Sequence, residues 1–120
     1  MKPPITIDDH GDISLFEAVE DAERYVEPID VTSNDLVAYD SEGRLLRGRI
    51  VKRGFLNLGR AVRLEPAENE PLHAPVLRER LIGFLIKLGE PRDPLEAASL
   101  DALIARGLSL LAPPRKRRKA

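Results

Sequence analysis

The chain has no cysteine and no tryptophan. Lack of cysteine excludes disulfides, thiolate metal sites and cysteine nucleophiles, and nothing points to an oxidising compartment. Aromatic residues make up only 4%, as Phe16, Phe55, Phe84, Tyr25 and Tyr39. The core must therefore rest on Leu, Ile and Val, and few rings are on hand to stack on single-stranded nucleic acid. There are two histidines, His10 and His73, far apart and without ligand spacing. Asp8-Asp9-His10-Gly11-Asp12 has the look of a cation loop but lacks the alternating oxygen ligands and closing glutamate of a calcium site. No glycine-flanked serine and no phosphate-cradling glycine loop is present. The expectation is a protein that is not an enzyme and holds no metal or cofactor. No stretch nears the roughly 20 apolar residues of a membrane span, and Met1–Asp9 has no apolar run of signal-peptide length, so a cytoplasmic protein without membrane contact is expected.

What is present is charge, unevenly placed. Residues 1–42 hold two basic residues, Lys2 and Arg24, against twelve acidic ones, a net −10. Residues 43–120 hold seventeen basic against eight acidic, a net +9, so the overall −1 conceals two halves of opposite sign. Fields of this size steer oppositely charged partners and speed encounter, but do not choose a fold. With 42% hydrophobic and 32% charged residues in 120, the composition is that of one soluble globular domain. We expect it to span residues 1–112, followed by a disordered basic tail at 113–120.

Ile5-Thr6-Ile7-Asp8 alternates as a short edge strand, with His10-Gly11-Asp12 as the following turn. Ser14-Leu15-Phe16-Glu17 reads as a capping box opening a helix whose apolar face is Leu15, Phe16, Val19, Ala22 and Val26, and which Pro28 ends. Ile29-Asp30-Val31 reads as extended and Thr32-Ser33-Asn34-Asp35 as a loop. Leu36–Asp40 and Arg44–Val51 form a hairpin about Ser41-Glu42-Gly43, and Arg60–Glu65 is a further strand, with Phe55–Gly59 as a link or turn. After a polar connection between Pro66 and Pro75, Val76, Leu77, Leu81, Phe84, Leu85 and Leu88 recur at helical spacing, stopped by Gly89 and Pro91. Asp93-Pro94-Leu95-Glu96 opens a last helix running to about Leu111. The order predicts an α+β fold: a small antiparallel sheet of three to four strands packed with an N-terminal helix and two C-terminal helices.

Two surfaces are candidates for partner binding. Glu17, Glu20, Asp21, Glu23 and Glu27 crowd one helix and its end, and Asp30, Asp35, Asp40 and Glu42 follow it. Like charges three and four apart destabilise a helix by a few tenths of a kcal/mol each, a cost that packing or a binding role must offset. Such a face suits a basic protein partner, with Tyr25 and Tyr39 as anchors; a merely solvated acidic helix is the simpler reading of the same residues. The alternative is a small accessory domain that contacts nucleic-acid phosphates, without reading sequence, through its basic half and the tail Arg115, Lys116, Arg117, Arg118 and Lys119; a membrane-surface contact and a merely solubilising run are the other readings of that tail.

The stretch Gly11-Asp12-Ile13-Ser14-Leu15-Phe16-Glu17, continuing through Val19–Val31 and Tyr39–Leu46, resembles immunity proteins of bacterial polymorphic toxin systems. The resemblance covers about residues 11–46. It implies a small cytoplasmic inhibitor that binds and neutralises a toxin domain, here one of basic character. No toxin-binding motif carries over residue by residue.

Overall fold

The computed structural model describes residues 1–33, 36–52, 59–67 and 72–111. The fold is α+β, as the order of elements predicts, but with five strands and five helices among the described residues. The strands are β1 (Ile5–Asp9), β2 (Asp12–Phe16), β3 (Val37–Tyr39), β4 (Leu45–Lys52) and β5 (Arg60–Pro66). They form one antiparallel sheet in the order β2-β1-β3-β4-β5. The helices are α1 (Val19–Tyr25), α2 (Pro28–Ser33), α3 (Ala74–Lys87), α4 (Arg92–Ala97) and α5 (Leu100–Leu110).

Period-two burial sends neighbouring side chains to opposite faces of the sheet. Ile5, Ile7, Phe16, Ala38, Leu46, Val62 and Leu64 meet Ala22 and Val26 of α1, with Val31 of α2 at the margin. On the other face Ile13, Leu15 and Tyr39 meet Leu77, Leu81 and Leu85 of α3, Leu95 of α4, and Leu103 and Ile104 of α5. Helices thus pack on both faces of the sheet, α3, α4 and α5 against residues of β2, β3 and the start of β4, and β3 is the central strand. Among the described residues no helix is long and apolar enough to cross a membrane.

Several expectations are corrected. Ile5–Asp8 is not an edge strand, because β1 pairs with β2 on one side and β3 on the other. Ser14-Leu15-Phe16-Glu17 is no capping box either, for Ser14 lies within β2 opposite Ile7. His10 and Gly11 both have positive φ, 53° and 94°, the two-residue turn whose twist suits a hairpin. That turn returns the chain along β1 and satisfies its backbone in the ladder. Alternation also serves both cores, with Ile13 and Leu15 entering one and Phe16 the other. The first helix therefore begins only at Val19, with Ala18 ahead of it and no side-chain cap.

Ile29-Asp30-Val31 is helical, not extended, as are Thr32 and Ser33. Pro28 ends α1 and also occupies the first position of α2, where a missing N–H and a fixed φ are tolerated. The Asp30 carboxylate accepts from the Glu27 N–H at 3.0 Å, as a third-position acid does at a helix start. The single last helix is in fact two. Ala98 and Ser99 are extended, and the Ser99 hydroxyl accepts from Ala102 N–H at 3.1 Å to start α5. The Arg78 guanidinium donates to the carbonyls of Leu95, Glu96 and Ala98 at the end of α4, where the Leu95 carbonyl also accepts from the Ala98 N–H at 3.1 Å. Gly89, with φ 99°, closes α3 while Glu90 N–H returns to the Leu85 carbonyl at 3.0 Å. The expected loop residues Asn34 and Asp35, the link Phe55–Leu58 and the tail at 113–120 lie outside the described residues.

These assignments separate two serines that resemble each other in sequence. Ser99→Ala removes a helix cap and should lower stability by about 1 kcal/mol. Ser14→Ala, which a capping box would make equally costly, should shift it by no more than about 0.5 kcal/mol. Urea denaturation of both variants against the parent protein measures the contrast.

Candidate interaction surface

The fold sorts nine of the acidic residues of the first half into two groups, with Asp9 and the exposed Asp12 about the β1–β2 turn besides. Four are taken inward. Asp8, on β1 and only 2% exposed, accepts from the Gly11 N–H at 2.7 Å and pairs through its other oxygen with Arg80 of α3. The Arg80 guanidinium is lowered by burial, but the fields and hydrogen bonds of Tyr39 and Asp8 overcome that and hold it above its ordinary value. Asp40 is fully buried. One of its oxygens accepts from the N–H groups of Glu42 and Arg44, both at 2.9 Å, and the other from Lys2 N–H at 3.2 Å, with Arg44 Nε 3.8 Å away. That carboxylate holds the β3–β4 turn, where Gly43 has φ 83° and a Cβ would meet the backbone of Ala74. The third is Glu23 of α1, which accepts from the outward N–H of Leu64 on edge strand β5 at 2.7 Å and lies 3.9 Å from Arg63 Nη1. Asp30, 5% exposed, is the capping acid of α2.

The second group faces solvent. Glu17, Glu20, Asp21 and Glu42 are exposed, and Glu27 is half-buried. Asp21 pairs with Arg24 three residues on, whereas Glu17, Glu20 and Glu42 have no ion-pair partner among the described residues. Glu20 and Asp21 also lie in the first turn of α1, where a negative charge opposes the exposed N–H dipoles of a helix without a side-chain cap. Sheet register relates the rest. Ile5 lies opposite Phe16 and Thr6 opposite Tyr39, so Glu17 after β2 and Glu42 after β3 leave the same end of the sheet, with β1 between them.

The two tyrosines differ in kind. Tyr39 is 3% exposed within the α3 core, so it is not part of any exposed face. Tyr25 is half-buried, its ring 5.2 Å from that of Phe16. A residue that sequence reasoning passed over is Ile29. At 69% it is the most exposed large apolar side chain among the described residues, and it projects from α2 in the same helical layer as α1. Reading Pro28-Ile29-Asp30 as a helix start, with proline first and an acid third, would have turned Ile29 outward. Asp35 and the basic run Arg115–Lys119 lie outside the described residues. His10 is exposed in the β1–β2 turn, 3.9 Å from Asp9, and among the described residues no group of three or more His, Cys, Asp or Glu is placed to hold a metal ion.

The sorting is measurable. Asp40→Ala leaves the part-buried N–H groups of Glu42 and Arg44 without their acceptor and should cost about 2–4 kcal/mol. Glu20→Ala, on the exposed side of α1, should stay within about 0.5 kcal/mol of the parent. Thermal or urea unfolding of the two variants provides the test.

Compared with protein-family models, with curated proteins and with solved structures, the chain matches none.

Proposed function

We propose that the protein is a non-enzymatic cytoplasmic binding protein of the immunity type, which captures a basic protein partner, a toxin domain, through the exposed carboxylates at one end of its sheet. The observation that carries this reading is the contrast between the two acidic groups. Asp8, Glu23, Asp30 and Asp40 have internal work, whereas Glu17, Glu20 and Glu42 are exposed and make no ion pair among the described residues. Charges left in that state speed capture of a cationic surface and suppress wrong partners more than they add affinity. Residence time needs apolar contact at the centre of an interface, and Ile29 supplies an exposed side chain for it on the adjoining helix. The resemblance of residues 11–46 to immunity proteins points in the same direction.

The reading predicts that stability and association separate. Reversing Glu17, Glu20 and Glu42 to lysine should slow association with the partner by about tenfold at low salt and flatten its salt dependence, while the thermal melt changes little. Ile29→Ala should act instead on the dissociation rate. A partner captured with the tagged protein from its own cells supplies the ligand for stopped-flow or surface-based kinetics at two ionic strengths. An unchanged association rate in the folded triple variant would overturn the proposal, reducing these carboxylates to a solvated face.

A further inference from the structure

On the opposite side of the sheet from α1 and α2, the β4–β5 ladder carries charge of the other sign. Register places Arg47 opposite Glu65 and Arg49 directly opposite Arg63. Their neighbours fix the direction in which they project. A Cβ at Gly48 would press on Val31 of α2 at 2.7 Å, and Val62 and Leu64 pack with Ala22 and Val26 of α1. Arg47, Arg49, Arg63 and Glu65 alternate with those residues and so occupy the other face. That face is open here, with the three arginine side chains 56–63% exposed.

The polar geometry is ordered. Glu65 reaches Nε of Arg47 at 3.1 Å with one oxygen and Nε of Arg49 at 3.5 Å with the other. A single carboxylate thus holds two guanidiniums through Nε, and both side chains remain more than half exposed. Arg63 is drawn to the sheet edge by Glu23, 3.9 Å away. Like charges directly opposed on a ladder are destabilising; Glu23 offsets Arg63, but Arg47 and Arg49 share the single carboxylate of Glu65, so the face keeps an excess of positive charge that a bound anion would relieve. Residues two apart on a strand are separated by about 7 Å, so each guanidinium would meet a separate anionic group.

We infer that this face is a phosphate-binding surface for the backbone of a nucleic-acid strand. Forked guanidiniums suit phosphate oxygens in paired hydrogen bonds. The apolar residues beside them, Val51 and Ala61, are small or half-buried, so the face lacks the apolar centre that a protein interface needs. A polyanion needs none, because released counterions supply the affinity. With no aromatic ring among the described residues of this face, contact is with the backbone and does not depend on base sequence. The exposed carboxylates of α1 belong to the layer on the other side of the sheet, so they do not repel a strand lying here. This inference is independent of the acidic-surface proposal and neither fails with the other.

The test is fluorescence anisotropy of the full chain with a labelled single-stranded oligonucleotide of about 20 nucleotides, titrated between about 50 and about 200 mM salt. Three phosphate contacts predict a logarithmic salt slope near −2, or about a 20-fold loss of affinity across that range. Replacing Arg47, Arg49 and Arg63 together by glutamine should weaken low-salt binding by about tenfold or more and remove most of that slope. The Arg47→Lys/Arg49→Lys variant keeps the charge and should keep most of the affinity, which guards against a misfolded glutamine variant. Three results would overturn the inference: no binding at low salt, binding unchanged in the folded glutamine variant, or polyglutamate competing as well as unlabelled oligonucleotide. The second would place the contact elsewhere, and the third would make the surface a carboxylate-binding one.

Discussion

A carboxylate removed from water has to be paired or supplied with hydrogen bonds, and Asp8 is where that constraint acts on the whole fold. It lies on the strand that joins β2 to the rest of the sheet, and its two oxygens do different work. One fixes the hairpin turn through Gly11, and the other ties the sheet to α3 through Arg80. Tyr39, on the next strand, bears on the same guanidinium. Breaking a buried ion pair by removing one partner costs about 3–5 kcal/mol, a large share of the 5–15 kcal/mol that holds a typical domain together. Arg80 is half exposed, so the cost here falls toward the lower end of that range.

The opposite charges of the two halves of the chain take on a different meaning in this light. Asp8 with Arg80, Asp40 with Arg44 and Glu23 with Arg63 each join an acid from residues 1–42 to a base beyond them. Part of the polarity in the sequence is therefore complementarity within the molecule. What remains is segregated by the sheet: carboxylates without an ion-pair partner among the described residues, on α1 and at one end, and Arg47 and Arg49, which share one carboxylate, on the open face of β4–β5. The same chain thus offers two surfaces of opposite sign that do not neutralise each other.

Much of the architecture was legible in the sequence because it rests on local patterns. The β3–β4 hairpin follows from Gly43 between two apolar runs, β5 from clean alternation, and α3 from helical spacing ended by Gly89. The misreadings share a physical cause, in that a local signal lost to a longer-range one. Ser14 and Glu17 have the spacing of a capping box, yet pairing with β1 satisfies the backbone of residues 12–16 and sends their apolar side chains into two cores. At Ala98-Ser99 the apolar period continues through the break, and only the Ser99 cap and the Arg78 guanidinium, twenty residues away, reveal it. The acidic candidates were legible as a group but not individually. Nothing in the order of residues distinguishes Asp40, buried under three N–H groups, from Glu42 two positions later in solvent. Ile29 was hidden by the same ambiguity, since an apolar residue after a proline reads equally well as strand or as the outer face of a short helix.

The central claim is that the acidic and basic parts of the chain are locked together by internal pairs, of which Asp8–Arg80 is the principal one. A double-mutant cycle tests it most directly: urea unfolding of the parent, Asp8→Ala, Arg80→Ala and the double variant. The account predicts that each single change costs about 2–4 kcal/mol and that the double change costs less than their sum by about 1.5 kcal/mol or more. Costs that simply add, within about 0.5 kcal/mol, would show that the two residues act independently and would contradict it.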